Sequence, residues 1–511
     1  MRRKFIIICC ALMAAMVGTD VTAQGLAQNI VQNTAQGPAE SPAQSLSCDV
    51  LPLHRRRTPP HDHALRRAKA EQDKGPGGSF YKGERHQLIV LAAFADLDFQ
   101  GDSAATVSLW NKICNTEHLQ EAPFCGSVHD YFMAQSYGQL SLVFDLQFIR
   151  IGNRSRYRST EDDDENSQYL MLDVVDSLMN RDIDWSLYDW NGDGYVNQIL
   201  IIYAGKGSGY GGFGGGYDAI WPHQWYLTWH QVDRQKGVYY QPREVNYNDK
   251  TYYLDSYCAT QELWPNGTYG AIGTLCHEYT HCFGLPDVYA YDHNETPGGW
   301  DLMDSGSYNR GGFYPVSYSA HERWLMGWLT PEELTTPTVV TDMPALEDEP
   351  RAYIIRNDGY PSEFYLLENR QPRGWDAPLP DSGLVVFHID YSASTWLYMD
   401  VNGNDRHYVI IGANDTLSNK YSSNWAYPND DNNALTNTSH PAATLWHANT
   451  DGTMLMSKPV TDITQTDGLV SFRFMSETTD LPQPTDSKQP RKIIRDGQLL
   501  ILRDGKTYTI L

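Results

Sequence analysis

Residues 276–287, Cys-His-Glu-Tyr-Thr-His-Cys-Phe-Gly-Leu-Pro-Asp, gather the groups in this chain best able to do chemistry. Read as a helix, the segment sets His277 and His281 one turn apart on one face, so both imidazoles can address a single metal ion. Glu278 follows the first histidine directly, which places a carboxylate beside the ion, where a general base for a polarised water must stand. Gly284 lets the helix end in a conformation open to glycine, Pro286 blocks its continuation, and Asp287 returns to the ion as a third ligand. Two imidazoles and one carboxylate leave a fourth position open, which suits Zn2+ in a catalytic setting. The plain alternative is a helix with two solvated histidines. It accounts for neither Gly284 nor Asp287. Downstream, residues 300–307 make a tight turn centred on Met303.

Alternating elements must carry that segment. Residues 87–94 form a continuous apolar run and predict a buried strand, as do residues 198–203. Leu170, Val174 and Leu178 with Met171, Val175 and Met179 recur at helical spacing, which predicts an amphipathic helix over 167–180. A glycine-rich loop over 205–216 lacks the Lys-Ser/Thr ending of a phosphate cradle and reads as a flap near the cleft. Residues 319–328 predict a short closing helix. Tyr308, five residues past Met303, is a candidate donor to an oxyanion. The fold class expected is α/β (α+β), with a cleft between an upper sheet and a less regular lower part. Between helix and strand, Asp189, Asn191, Asp193, Tyr195 and Asn197 repeat the front half of an EF-hand loop, with Gly194 at its sixth position. Leu200 stands where the twelfth-position glutamate belongs, so Ca2+ there needs a ligand from elsewhere; a hydrogen-bonded turn is the alternative. The acidic run 161–165 reads as a solvated helix start.

Over roughly residues 85–475 the chain resembles the immune inhibitor A type of secreted zinc metallopeptidases. The resemblance rests on residues 126–132 (GSVHDYF) with Ser136-Tyr137-Gly138, on 188–196 (YDWNGDGYV), and on 218–223 (DAIWPH). It rests further on the histidine helix with Asp287, on 300–303 (WDLM), and on 365–371 (YLLENRQ). It implies a zincin-like catalytic domain, a methionine turn beneath the metal as in metzincins, an aspartate where the wider pattern has a third histidine, and structural calcium. The cysteines flanking the helix motif have no assigned role.

Arg2, Arg3 and Lys4, an apolar run over 5–17 and Val21-Thr22-Ala23 read as a secretory signal, residues 1–23. The run is too short to span a bilayer, and no later stretch reaches the length a transmembrane segment needs. Residues 24–84 are a low-complexity linker and pro-segment. Their basic run over 54–69 is either a pro-segment packed on an acidic catalytic domain and later removed, which fits a zymogen, or a solvated flexible arm; Cys48 could serve as a latency thiolate on zinc. A formal charge of −24 disfavours nucleic acid as a partner. Export permits disulfides, and Cys114 with Cys125 closes the shortest loop.

The catalytic domain is expected over 85–335. Strand signals at 352–356, 363–370 and 383–390 then predict an all-β sandwich over 336–476. Within it, residues 400–405 read as a calcium loop or a plain turn. Residues 477–511 are a linker and C-terminal hairpin with a weak likeness to sorting tails, hence secretion machinery as a possible partner and a fluid or cell-surface destination. The leading functional expectation is a secreted zinc endopeptidase acting on proteins or peptides, with Glu278 as base. The alternative is a secreted binding or adhesion protein whose zinc is structural, closed by a fourth protein ligand such as Cys276 or Cys282.

Overall fold

A computed structural model describes residues 81–476 apart from 159–165, 208–219, 234–237, 265–266, 270, 291–294, 398–400, 404, 415–424 and 430–431, together with the backbone of 491–495, 498–503 and 506–509. The signal, linker and basic segments, Cys48, the acidic run and most of the glycine-rich loop therefore lie outside the described residues. The fold is a mixed α/β arrangement of several sheets.

Strand β1 (Gly83–Phe94) organises the first sheet, and its residues 87–94 are all buried. An unbroken apolar run is what a strand covered on both faces requires. It pairs in parallel with β2 (Leu140–Ile151), for example Ile89 opposite Leu146, and with β3 (Ile199–Lys206), Val90 opposite Ile201. On the far side of β3 comes β5 (Ser256–Leu263), also parallel, and the edge is β4 (His223–Tyr226), antiparallel to β5. The order is β2-β1-β3-β5-β4. Helices α1 (Ser103–Asn115), α2 (Val128–Gln135) and α3 (Ser167–Leu178) pack against β2. Asp102 caps α1 through the amide of Ala105, and Ser127 with Asp130 forms a reciprocal capping box on α2. The histidine helix is α4 (Ile272–Cys282), and α5 (Ala320–Leu325) starts at a second capping box, Ser319 with Glu322.

The chain then builds two further sheets. Strands β6 (Glu332–Glu333), β8 (Tyr353–Arg356), β9 (Glu363–Arg370), β10 (Gly383–Asp390) and β11 (Tyr408–Ile410) form one, in that order. Strands β7 (Thr338–Met343), β13 (Leu469–Phe474) and β12 (Val460–Thr466) form the other. Every residue of β9 and β10 is buried, because the two faces of their sheet belong to different cores. Tyr365, Leu367, Leu384 and Val386 meet Val340, Val470 and Phe472 of the smaller sheet. Phe364, Leu366, Val385, Phe387 and Ile389 on the opposite face join the core of the first sheet. The second lobe is thus packed onto the first by an apolar face, not tethered to it.

Two expectations need correction. Cys114 and Cys125 are both free thiols: Cys114 points into the core from the end of α1, whereas Cys125 precedes α2 and its Sγ donates to the Gly374 carbonyl at 3.5 Å. The short loop between them turns their side chains apart. The tail is also more than one hairpin: β14 (Arg491–Arg495), β15 (Gln498–Arg503) and β16 (Lys506–Thr509) form a three-stranded antiparallel sheet.

Between the lobes lies a charged network sealed from water. Arg370 is fully buried, held by Asp376 through Nε to Oδ2 (2.7 Å) and Nη2 to Oδ1 (2.8 Å), and by Glu368 through Nη1 to Oε1 (2.9 Å). Removing the guanidinium strands two buried carboxylates, and breaking such a group costs about 3–5 kcal/mol. Arg370→Ala should shift the urea midpoint of the chain accordingly; a midpoint within error of the parent would contradict the pairing.

Candidate metal centre

Helix α4 is buried at every position, so it is a core helix with no solvated face. Its packing is set by close approach: a Cβ on Gly273 would lie 1.9 Å from the Ser307 carbonyl oxygen, so only glycine lets the helix rest on the segment after Met303. Tyr279 anchors it beneath β1 by donating to Gln87 Oε1 at 2.9 Å, and Thr280 Oγ1 donates to the Cys276 carbonyl at 2.6 Å. The helix stops as expected. Gly284 has φ +80° and its amide donates to the His281 carbonyl at 2.7 Å, after which the chain turns back with Asp287.

His277, His281 and Asp287 converge, each offering one ligand atom, with all three atoms within 4.8 Å of one another. His277 Nε2 is 3.1 Å and His281 Nε2 is 3.2 Å from Asp287 Oδ1. Despite these distances, none of the three atoms has the alignment of a hydrogen bond, and all three are buried. Ligand bonds of about 2.0–2.1 Å in a tetrahedral zinc site put neighbouring donor atoms roughly 3.3 Å apart. The two histidine–aspartate separations therefore fit atoms aimed at one ion better than atoms bonded to each other. The tautomers agree: His277 Nδ1–H donates to the Leu302 carbonyl (2.8 Å) and His281 Nδ1–H to the Leu285 carbonyl (2.8 Å), since a carbonyl can only accept. That leaves both Nε2 lone pairs facing the cluster. Tyr289 donates to Asp287 Oδ2 at 3.1 Å and so turns Oδ1 inward. Sequence reasoning missed Tyr289, although it lies only two residues past the ligand.

Glu278 is fully buried and its charge acts on His277. Met303 is buried within a turn built by two aspartates: Asp301 Oδ1 accepts from the Met303 amide (2.8 Å), and Asp304 accepts from the amides of Gly298 (2.7 Å) and Ser305 (2.6 Å). This turn presents the Leu302 carbonyl to His277. Tyr308 packs edge-to-face on Trp264, with centroids 6.2 Å apart.

The EF-hand-like loop directs its oxygens inward on its own backbone. Asp189 accepts from the amides of Asp193 (3.0 Å) and Gly194 (2.9 Å), Asp193 from that of Tyr195 (2.8 Å), and Asn197 Oδ1 from that of Trp190 (2.7 Å). Asn191 Nδ2 donates to Asp193 at 3.2 Å. These bonds are those of the hydrogen-bonded turn, and Asn197 Oδ1 is spent inside it. In residues 400–405, of which 400 and 404 lie outside the described residues, Asn402 is likewise committed to hydrogen bonds.

Comparison with known proteins bears on this site. Residues 86–327 match the family model described as immune inhibitor A peptidase M6, catalytic domain. That segment is similar to the catalytic domain of the M6 peptidases. Among curated proteins, it is 33% identical over 172 residues to Immune inhibitor A of Bacillus thuringiensis subsp. alesti, covering 30% of this chain and 24% of that one. It is 26% identical over 244 residues to the pre-pro-metalloprotease PrtV of Vibrio cholerae, covering 42% of this chain and 24% of the relative. The chain thus matches about a quarter of the length of these relatives.

In metal-free protein the acidic surroundings of the cluster favour a proton on His277. Burial alone would depress His277, but contact with the Asp287 carboxylate and the charge of Glu278 outweigh it and raise His277 to about 9. Burial likewise opposes ionisation of Asp287, yet the two imidazoles hold it down at about 2. The His277 proton stabilises the metal-free fold fully below the ordinary imidazole pKa of about 6.5, and that contribution is lost as pH rises through about 9. Zinc and this proton compete for one place. Calorimetric titration of metal-free protein at pH 7 in buffers of different ionisation enthalpy should show about one proton released per zinc, declining above pH 9. No proton release at pH 7 would contradict the arrangement.

Proposed function

We propose that this chain is a secreted zinc-dependent endopeptidase, with zinc held by His277, His281 and Asp287 and with Glu278 as general base. The observation that carries the reading is the convergence of three buried donor atoms, aligned for an ion and not for each other. The match of residues 86–327 to the M6 catalytic-domain model and the name of the Vibrio relative, a metalloprotease, support it. A zinc ion held there supplies Lewis acidity to a water and to the carbonyl of a peptide bond. Glu278, next to His277, accepts the proton of the attacking water at its carboxylate and returns it to the leaving amine. The Leu302 and Leu285 carbonyls keep both imidazoles in the tautomer that presents Nε2. We read the first sheet with α4 as zincin-like, the two later sheets as a β-sandwich, and the boundary near residue 335.

The adhesion reading requires a fourth protein ligand to close a structural site. Among the described residues no further His, Cys, Asp or Glu joins the cluster. Cys282 Sγ instead faces the Glu278 carbonyl at 3.9 Å, and Cys276 is buried near Cys114. An open position favours catalysis. Export rests on the signal at residues 1–23, and latency on the basic segment before residue 81. No described helix is long and apolar enough to cross a membrane.

Purified, processed protein should cleave an unfolded protein substrate, and Glu278→Gln should lower the rate about 10²–10⁴-fold while retaining one zinc. If neither cuts while both hold zinc, the endopeptidase reading fails for that substrate class. Calcium in the 189–197 loop belongs to the same proposal: added calcium should raise the melting temperature of the zinc-loaded parent and leave Asp193→Ala unmoved. An equal rise in both removes that site.

A further inference from the structure

The third ligand is the least supported by local structure. His277 and His281 ride on a helix, but Asp287 sits in an irregular stretch past Gly284, where nothing periodic fixes its backbone. We propose that Asn402, on the second lobe, is a positioning residue for Asp287. The inference rests on the zinc reading and deepens it.

Asn402 is fully buried, 115 residues further along the chain than the ligand it serves. One amide hydrogen of Nδ2 goes to the Val288 carbonyl at 2.5 Å, directly after Asp287, and the other to the Tyr408 carbonyl at 2.8 Å. Its Oδ1 accepts from the amides of His407 (2.9 Å) and Tyr408 (3.0 Å). All the hydrogen-bonding capacity of one carboxamide is used, so the group cannot rotate without losing several bonds. On its other side Val288 donates its amide to the Met303 carbonyl at 3.0 Å. The residue after the ligand is therefore held at both ends, by the methionine turn and by the second lobe. The same lobe also holds that turn: Tyr408 donates to Asp301 Oδ2 (3.1 Å) while Asp301 Oδ1 accepts from Met303, and the Leu302 carbonyl between them orients His277.

Asparagine is required by this arrangement. Aspartate would keep the shape and the two acceptor contacts but turn an oxygen towards two carbonyls. Leucine would fill the volume and bond to nothing. A plain adhesive role between lobes predicts something different, namely lost stability with an unaltered site.

The test uses the full chain and compares parent, Asn402→Ala, the isosteric Asn402→Asp, and Asn357→Ala. Asn357 is an equally buried carboxamide of the second lobe whose side chain bonds to Glu363, Gly359 and His447. Zinc affinity is read by competition with a chromophoric chelator, site geometry by the visible spectrum of the cobalt-substituted protein, and stability by melting temperature. Orienting contacts around metal ligands typically matter 10–100-fold in affinity. Both Asn402 variants should weaken zinc binding by about that factor and alter the cobalt spectrum, whereas Asn357→Ala should lose stability and keep the parent's affinity and spectrum. If Asn402→Ala does not fold, Asn402→Asp alone decides. Parent-like affinity in the Asn402 variants, or weakening shared by Asn357→Ala in proportion to lost stability, overturns the proposal. A parent that takes up no zinc overturns the metal reading and this inference with it.

Discussion

Two imidazole lone pairs and a carboxylate oxygen meet inside a water-excluded core, and that arrangement is unfavourable unless a cation occupies the centre. Buried polar atoms left unmatched cost free energy, and a low local dielectric raises the cost. The surrounding structure is what holds the atoms in place against that tendency. It does so with backbone carbonyls, from Leu285 and Leu302, and not with flexible side chains. A carbonyl fixed by the fold transmits the rigidity of the fold to the ring it bonds. Hence the positions that set the site are those that set the backbone: Gly284 with its positive φ, Gly273 against Ser307, and the aspartate-built turn around Met303.

The second lobe meets the first through apolar contacts and through buried charge. Arg323 spans the junction, bonding Gln135 Oε1 at 3.0 Å, the Tyr318 carbonyl at 3.1 Å and the Leu346 carbonyl at 3.2 Å, with its guanidinium 4.5 Å from the Tyr137 ring centroid. Asp301, at the root of the methionine turn, is raised to about 7, chiefly by burial and also by Asp304. Such groups tolerate little displacement, because each bond lost exposes a desolvated partner. An apolar face alone would permit sliding. With the charges, lobe position and turn position become coupled.

Legibility from sequence followed the range of the interaction. The histidine spacing, the helix stop at Gly284 and the strands over 363–370 and 383–390 depend on neighbours a few residues away, and each is where the pattern puts it. The roles of Asn402 and Tyr408 depend on contacts more than 100 residues distant, and nothing in a window around them signals it. Residues 400–405 resembled a calcium loop or turn because Asp, Asn and Gly serve ion ligation, turns and buried hydrogen bonding alike. The 189–197 loop illustrates the same ambiguity, its side chains satisfying its own amides. For Cys114 and Cys125, short separation was a poor guide, since a disulfide depends on the direction of the Cβ vectors and not on loop length.

The two cysteines flanking the motif show why, among the described residues, no thiol joins the His277–His281–Asp287 cluster. On a helix of 3.6 residues per turn, positions 276 and 282 each lie roughly 120° around the axis from the face shared by His277 and His281, one on either side. Neither thiol can reach the ion from the helix. Burial, largest among the causes, pushes the Cys276 and Cys258 thiols well above their usual range, and Cys258 also meets the Cys282 side chain. A thiol that resists ionisation is a poor zinc ligand and a good apolar packing group. Cys276 and Cys282, both buried, fill the core on the two flanks of α4. In the zinc reading proposed above, Glu278, roughly 80° from the imidazole face, stands near enough to act beside the ion and far enough not to occupy it.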